Sequence, residues 1–158
     1  MENLTPGIVI REARVDDLEN IVGFNRAMAL ETENKSLDGV LLRNGVEKAL
    51  SDPIRARYFV AEVEGNVAGQ TMVTVEWSDW RNAWFWWIQS VFVKPEYRRR
   101  GVFRALHAYV RDQAHRADGV CGLRLYVFDA NRRAIETYER LGMTRTQYLL
   151  FEQEWDER

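Results

Sequence analysis

The chain has 158 residues, enough for one compact domain with a substantial core. A hydrophobic fraction of 46% excludes a disordered protein, and a formal net charge of −2 excludes general nucleic-acid binding through bulk electrostatics. The single cysteine, Cys121, rules out an intrachain disulfide, argues against a thiolate metal site and suits a reducing cytoplasm. The opening "MENLTPGIVI" lacks a signal-peptide pattern, and no apolar run reaches the length of a membrane span. We therefore expect a cytoplasmic protein with no metal, no nucleic acid and no membrane among its partners.

In chain order, Gly7–Ala13 alternates as a first strand. Val15–Glu31 then reads as a helix, with Asp16 and Glu19 at capping-box spacing and Leu18, Ile21, Val22, Met28 and Ala29 on one face. Polar residues from Glu31 to Gly39 break that pattern, and a second helix covers Val40–Leu50 before Pro53. Three strands follow as an antiparallel meander: Arg57–Gly65, a turn at Gly65-Asn66 into Val67–Trp77, and Ala83–Val93. Pro95 ends the third. A helix spans Gly101 to Arg116, a strand Gly122–Phe128, and a last helix Asn131–Gly142 with Asn131 as N-cap and Gly142 as its stop. Thr144–Trp155 reads as a final strand, in one piece or two. Nothing in residues 1–158 marks a domain boundary, so a single domain is expected.

The chemistry concentrates in "VKPEYRRRGVFRAL", Val93 to Leu106. A strand, a glycine turn and a helix start in that order make an anion site. The first helical N–H groups have no internal partner, the helix dipole favours negative charge there, and glycine admits a phosphate to the backbone. Arg98, Arg99 and Arg100 add charge at that turn. A solvated basic turn would use the same residues.

"YRRRGVFRAL" resembles the coenzyme A pyrophosphate loop of the GNAT N-acetyltransferase superfamily, Arg/Gln-x-x-Gly-x-Gly/Ala. Arg98 and Gly101 match, while Phe103 stands where glycine or alanine is usual. "IQSVFVKPEY" resembles the family's fourth strand. "DANRRAIETYERLGM" resembles its second signature through Asn131, Ala134, Tyr138 and Leu141-Gly142-Met143. The resemblance implies an α/β fold: a mixed, twisted central sheet of six or seven strands flanked by about four helices.

It also implies an acetyl-CoA-dependent N-acetyltransferase acting by direct transfer in a ternary complex. The backbone of Val91, Phe92 and Val93 would pair with the pantetheine arm, with a backbone N–H near Val91 on the thioester carbonyl. Arg98, Arg99, Arg100, Gly101, Val102, Phe103 and Arg104 would hold the pyrophosphate, and Asn131 the cofactor. Tyr138 would protonate the departing thiolate. For the base, relatives carry a glutamate on the fourth strand, where this chain has Gln89. A glutamine orients water but takes no proton. Glu31 is the first candidate instead and Glu76 the second, with Asp79 beside Glu76. Glu33, Gln89 and Trp87 join Glu31 around the acceptor.

Trp77, Trp80, Trp84, Trp86 and Trp87 crowd the third and fourth strands, and alternation pairs Trp84 with Trp86 and Phe85 with Trp87. His107 and His115 read as surface residues and Cys121 as a small buried one. The acceptor expected is a small-molecule amine, and a homodimer is compatible with the chain. The rival readings are a protein or peptide N-acetyltransferase and a non-catalytic acyl-CoA sensor.

Overall fold

Alternation in Ile8–Glu12 forms strand β1, whose five residues pair antiparallel with Phe59–Val63 of β2 (Arg57–Val63). The computed structural model describes residues 7–155. Between these strands lie a short 3-10 turn at Val15–Asp17 and helices α1 (Leu18–Glu33) and α2 (Gly39–Ser51). The meander continues through β3 (Asn66–Ser78) and β4 (Ala83–Val93). A second 3-10 turn at Pro95–Tyr97 leads to α3 (Val102–Arg116), β5 (Val120–Arg124) and α4 (Arg132–Arg140). The sheet has the order β1-β2-β3-β4-β5, antiparallel except for the parallel β4–β5 pair. After Tyr126 the chain divides into two compact units, the second carrying α4.

The first unit buries both sheet faces. Phe59, Val73, Trp86 and Ile88 pack against Val102, Leu106 and Val110 of α3. Tyr58, the neighbour of Phe59 and so on the opposite face, packs with Ile21, Val22, Val46 and Ala49 of α1 and α2. The β2–β3 hairpin turns at Glu64 and Gly65, both at positive φ (52° and 79°), one residue before the expected position. Two positive-φ residues match the twist of the flanking strands, which leaves Asn66 as the first residue of β3.

The central irregularity lies between β3 and β4. Gln70 pairs with Phe92 and Met72 with Gln89, so Thr71 alone faces Ser90 and Val91. Ser90 absorbs this β-bulge at φ 51°. The side-chain alternation flips there: Ile88 joins the α3 core, while Phe92 stacks on Phe24 of α1 at 5.3 Å.

Several expectations change. Five strands, not six or seven, are present among the described residues, because Thr144–Trp155 carries none. Its Thr, Tyr, Leu and Phe residues suit a strand, but propensity is realised only where a ladder partner exists. The second unit itself has no strand among the described residues to supply one. The strand expected at Gly122–Phe128 forms at Val120–Arg124, because its register is set by parallel pairing with Trp84–Trp87. Asp16 and Glu19 do not cap α1; a 3-10 turn intervenes, and the Asp17 carboxylate accepts the Arg14 backbone N–H at 2.7 Å.

His107 is buried at 4% exposure. Positions 103, 107, 110 and 114 follow one edge of the apolar stripe of α3, which draws His107 inward beside Phe103. His115 is exposed as expected. Cys121 is exposed instead of buried, its thiol 3.3 Å from the Trp84 carbonyl oxygen. Of the crowded tryptophans only Trp86 belongs to the core, at 7% exposure. Trp84, on the same alternation, lies at the sheet's end, exposed and edge-on to Trp77 at 4.9 Å.

Candidate active site

Strand β5 follows β4 only from Trp84 to Trp87, so the two strands part while β4 runs on to Val93. The end of β4 is anchored on its other side, where the Lys94 N–H donates to the Ala68 carbonyl at 2.9 Å. Gly69 allows that approach, since a Cβ there would meet the Phe92 carbonyl oxygen at 2.8 Å. Val91, Phe92 and Val93 therefore lead directly into the loop before α3.

In that loop Arg99 and Gly101 both take left-handed backbone conformations, at φ 62° and 82°. Gly101 is the N-cap of α3, and the helical ladder starts with the Ala105 N–H on the Gly101 carbonyl at 3.0 Å. The N–H groups of Val102, Phe103 and Arg104 precede that first bond, so they sit at the positive end of the helix dipole. Left-handed residues before a helix curl successive N–H groups into an anion-binding concavity. The ring of Phe103, the departure from the usual small residue, lies 6.3 Å from that of His107 along the helix.

The three arginines have different posts. Arg98 is part of the scaffold: its Nε donates to the Val93 carbonyl at 2.9 Å, and its two terminal nitrogens clamp the Glu31 carboxylate at 2.6 and 2.7 Å. Arg100 lies 5.2 Å over the Tyr97 ring, with Glu64 at 3.9 Å. Arg99 is the exposed left-handed residue. Glu31 reaches Arg98 because α1 continues to Glu33 before Asn34 caps it at φ 49°, which puts both glutamates in its last turn. The hydrogen bonds from Arg98 hold the Glu31 carboxyl below the usual carboxylate range. Glu33 is exposed.

Cross-strand partners share a face, so the pairs Met72–Gln89, Thr74–Trp87 and Glu76–Phe85 line up on the α1 side of the sheet. Gln89 donates to the Thr74 hydroxyl at 2.7 Å. Glu76 accepts from Arg124 of β5 at 2.5 Å, and that guanidinium lies 3.7 Å over the Phe85 ring. The Trp87 ring is 6.2 Å from that of Tyr126. The first unit thus brings Glu31 to Arg98 and Glu76 to the sheet face of Gln89 and Trp87.

Asn131 and Tyr138 belong to the second unit. Asn131 caps α4 through its side-chain oxygen, which accepts the Ala134 N–H at 3.1 Å, so the cap leaves the amide nitrogen uncommitted to the helix. Gly142, at φ 88°, ends the helix, and the Met143 N–H returns to the Tyr138 carbonyl at 3.0 Å. Burial pushes the Tyr138 phenol above its ordinary pKa.

One group was missed from sequence: Gln70, Asn25 and Tyr58, buried polar residues linked to Ser90 of the bulge. The available signal was a glutamine inside the otherwise apolar and β-branched run "VAGQTMVTV".

A model of the acetyltransferase (GNAT) family matches residues 15–143. The chain is 30% identical over 151 residues to thialysine N-ε-acetyltransferase of Bos taurus, covering 85% of this chain and 83% of that protein. It is 35% identical over 86 residues to the N-terminal acetyltransferase B complex catalytic subunit NAA20 of Arabidopsis thaliana, covering 54% and 48%. Among solved structures, that of a possible acetyltransferase from Clostridium difficile 630 superposes with a TM-score of 0.89 at 45% identity, covering 95% and 99%. With the splayed strand, the left-handed glycine turn and the capped second signature in place, the chain belongs to the acetyltransferase (GNAT) family and is an acyltransferase.

Proposed function

We propose that the chain transfers the acetyl group of acetyl-CoA to a primary amine of a small molecule, directly and within a ternary complex. The observation that carries this reading is the left-handed Arg99–Gly101 turn opening α3 just beyond the splayed end of β4. It combines backbone donors, a helix N-terminus and arginines, the chemistry a diphosphate requires. Acetyl-CoA, the family's acyl donor, supplies an activated thioester carbonyl.

In this reading the N–H groups from Arg99 to Arg104 bind the diphosphate, and the Val91–Val93 backbone binds the extended arm as an added strand would. The Asn131 amide adds a hydrogen bond. Tyr138 holds the proton that a leaving thiolate needs, and its raised pKa keeps the phenol protonated at neutral pH. A small-molecule acceptor is favoured by the similarity to the cattle enzyme, which spans 85% of this chain. The NAA20 similarity keeps a peptide N-terminus as the second reading.

Release of free thiol from acetyl-CoA, measured with small alkylamines, thialysine and N-terminal peptides, tests the assignment. Turnover should be highest with a small primary amine. Preference for a peptide would replace it with the second reading, and no release with any amine would sink it.

Glu31 is a poor base here. Both its oxygens engage Arg98, and its pKa is lowered by those bonds. Its charge is therefore fully present above the ordinary carboxylate range and lost only as pH falls through the lowered value. We assign Glu31 to fixing Arg98 and carry Glu76 forward as the base, on the face shared with Gln89 and Trp87. Glu76→Gln should remove the acidic limb of the pH–rate profile, whereas Glu31→Gln should keep it. If both variants keep it, the amine arrives neutral or loses its proton through water at Gln89.

A further inference from the structure

The β4 bulge is held from inside by a polar chain. Gln70 is fully buried, and its amide nitrogen donates to the Ser90 carbonyl at 3.1 Å and to Asn25 Oδ1 at 3.3 Å. Asn25 of α1 in turn donates to the Tyr58 phenol of β2 at 3.3 Å. Asn25 and Tyr58 are each 5% exposed. The orientation of the chain follows from its end: a backbone carbonyl only accepts, so the Gln70 amide must turn its nitrogen to Ser90. That leaves the Gln70 amide oxygen buried with no hydrogen-bond partner. The donor side of that amide is fully committed to Ser90 and Asn25.

The Gln70–Ser90 bond sets the direction of the peptide after Ser90. Across a trans peptide bond the carbonyl of one residue and the N–H of the next point in opposite directions, and the described residues contain no cis bond. With the Ser90 carbonyl held toward Gln70 of β3, the Val91 N–H is turned away from β3. It faces the side of β4 that β5 does not follow beyond Trp87. We infer that Gln70 is a positioning residue that, supported by Asn25 and Tyr58, locks the Ser90–Val91 peptide so that the Val91 N–H donates to the acyl carbonyl oxygen. A donor fixed before the reaction needs no reorganisation as charge develops on that oxygen. The inference rests on the acyl-transfer reading above.

Gln70→Met keeps the side-chain length and removes the donor. It should lower kcat roughly tenfold or more while leaving KM for acetyl-CoA nearly unchanged, since a bond that tightens in the transition state is lost. Tyr58→Phe, which spares the Gln70–Ser90 bond, should show a smaller change in the same direction.

The wild-type protein provides a test that needs no variant. The Val91 amide should exchange hydrogen quickly without ligand, unlike that of Ile88 within the ladder, and acetyl-CoA should protect it more than coenzyme A does. Slow exchange of Val91 in the ligand-free protein, or an unchanged kcat in folded Gln70→Met, would overturn the inference. Failure of acetyl-CoA to bind at all would instead overturn the functional reading beneath it.

Discussion

Gly101→Glu is expected to abolish binding of acetyl-CoA and with it all turnover. The residue sits at φ 82°, a conformation that costs a side chain about 1–2 kcal/mol. It is also the last residue before α3, so a carboxylate there would occupy the positive end of the helix and mimic the anion it should receive. In the parent, acetyl-CoA at 100 times its Kd should stabilise the fold by about 2.7 kcal/mol and raise Tm accordingly. The variant should unfold cooperatively and show no ligand-dependent shift. Gly101→Ala separates charge from the other causes, since it carries the backbone strain and a small Cβ without the carboxylate, and it should lose less of the shift than Gly101→Glu. A folded Gly101→Glu protein with the parent's shift would place the diphosphate elsewhere.

What could be read from the chain was what local chemistry encodes. The loop before α3 was legible because Gly101 marks the left-handed turn and the apolar spacing from Val102 marks the helix. The cap of α4 was legible from Asn131 and Gly142 for the same reason. The meander followed from β-branched and aromatic runs, with the first hairpin displaced by one residue because Glu64 accepts a positive φ that its side chain does not announce. The bulge at Ser90 escaped for the same cause: its left-handed backbone lies at a register shift between β3 and β4 and is marked by no glycine.

Long-range ion pairs escaped as well. Glu31 and Arg98 are 67 positions apart, and only the last turn of α1 brings them together. Read singly, Glu31 is a carboxylate suited to a base; in the fold both its oxygens accept from Arg98. His107 shows the limit of a helical wheel: its position at the edge of the stripe reads as polar until the packing of α3 on the sheet encloses it.

Tyr138→Phe is expected to lower turnover by roughly 100-fold or more, with acetyl-CoA affinity nearly kept. The substitution deletes one oxygen and leaves the ring that contributes to the apolar side of α4. Burial raises the phenol's pKa above its ordinary value of 10.0, so the group is protonated throughout the neutral range. A proton donor of that kind should set the basic limb of the parent's pH–rate profile, with activity falling only above the ordinary tyrosine range. In Tyr138→Phe that limb should disappear along with most of the rate. The ligand-dependent Tm shift should persist, which distinguishes a lost proton donor from a lost binding site. An acyl donor that needs less help at the sulfur, such as a thioester of a lower-pKa thiol, should recover part of the loss. Full activity of the variant with acetyl-CoA, or a basic limb unchanged by it, would mean that the thiolate is protonated from solvent and that Tyr138 is a packing residue of α4.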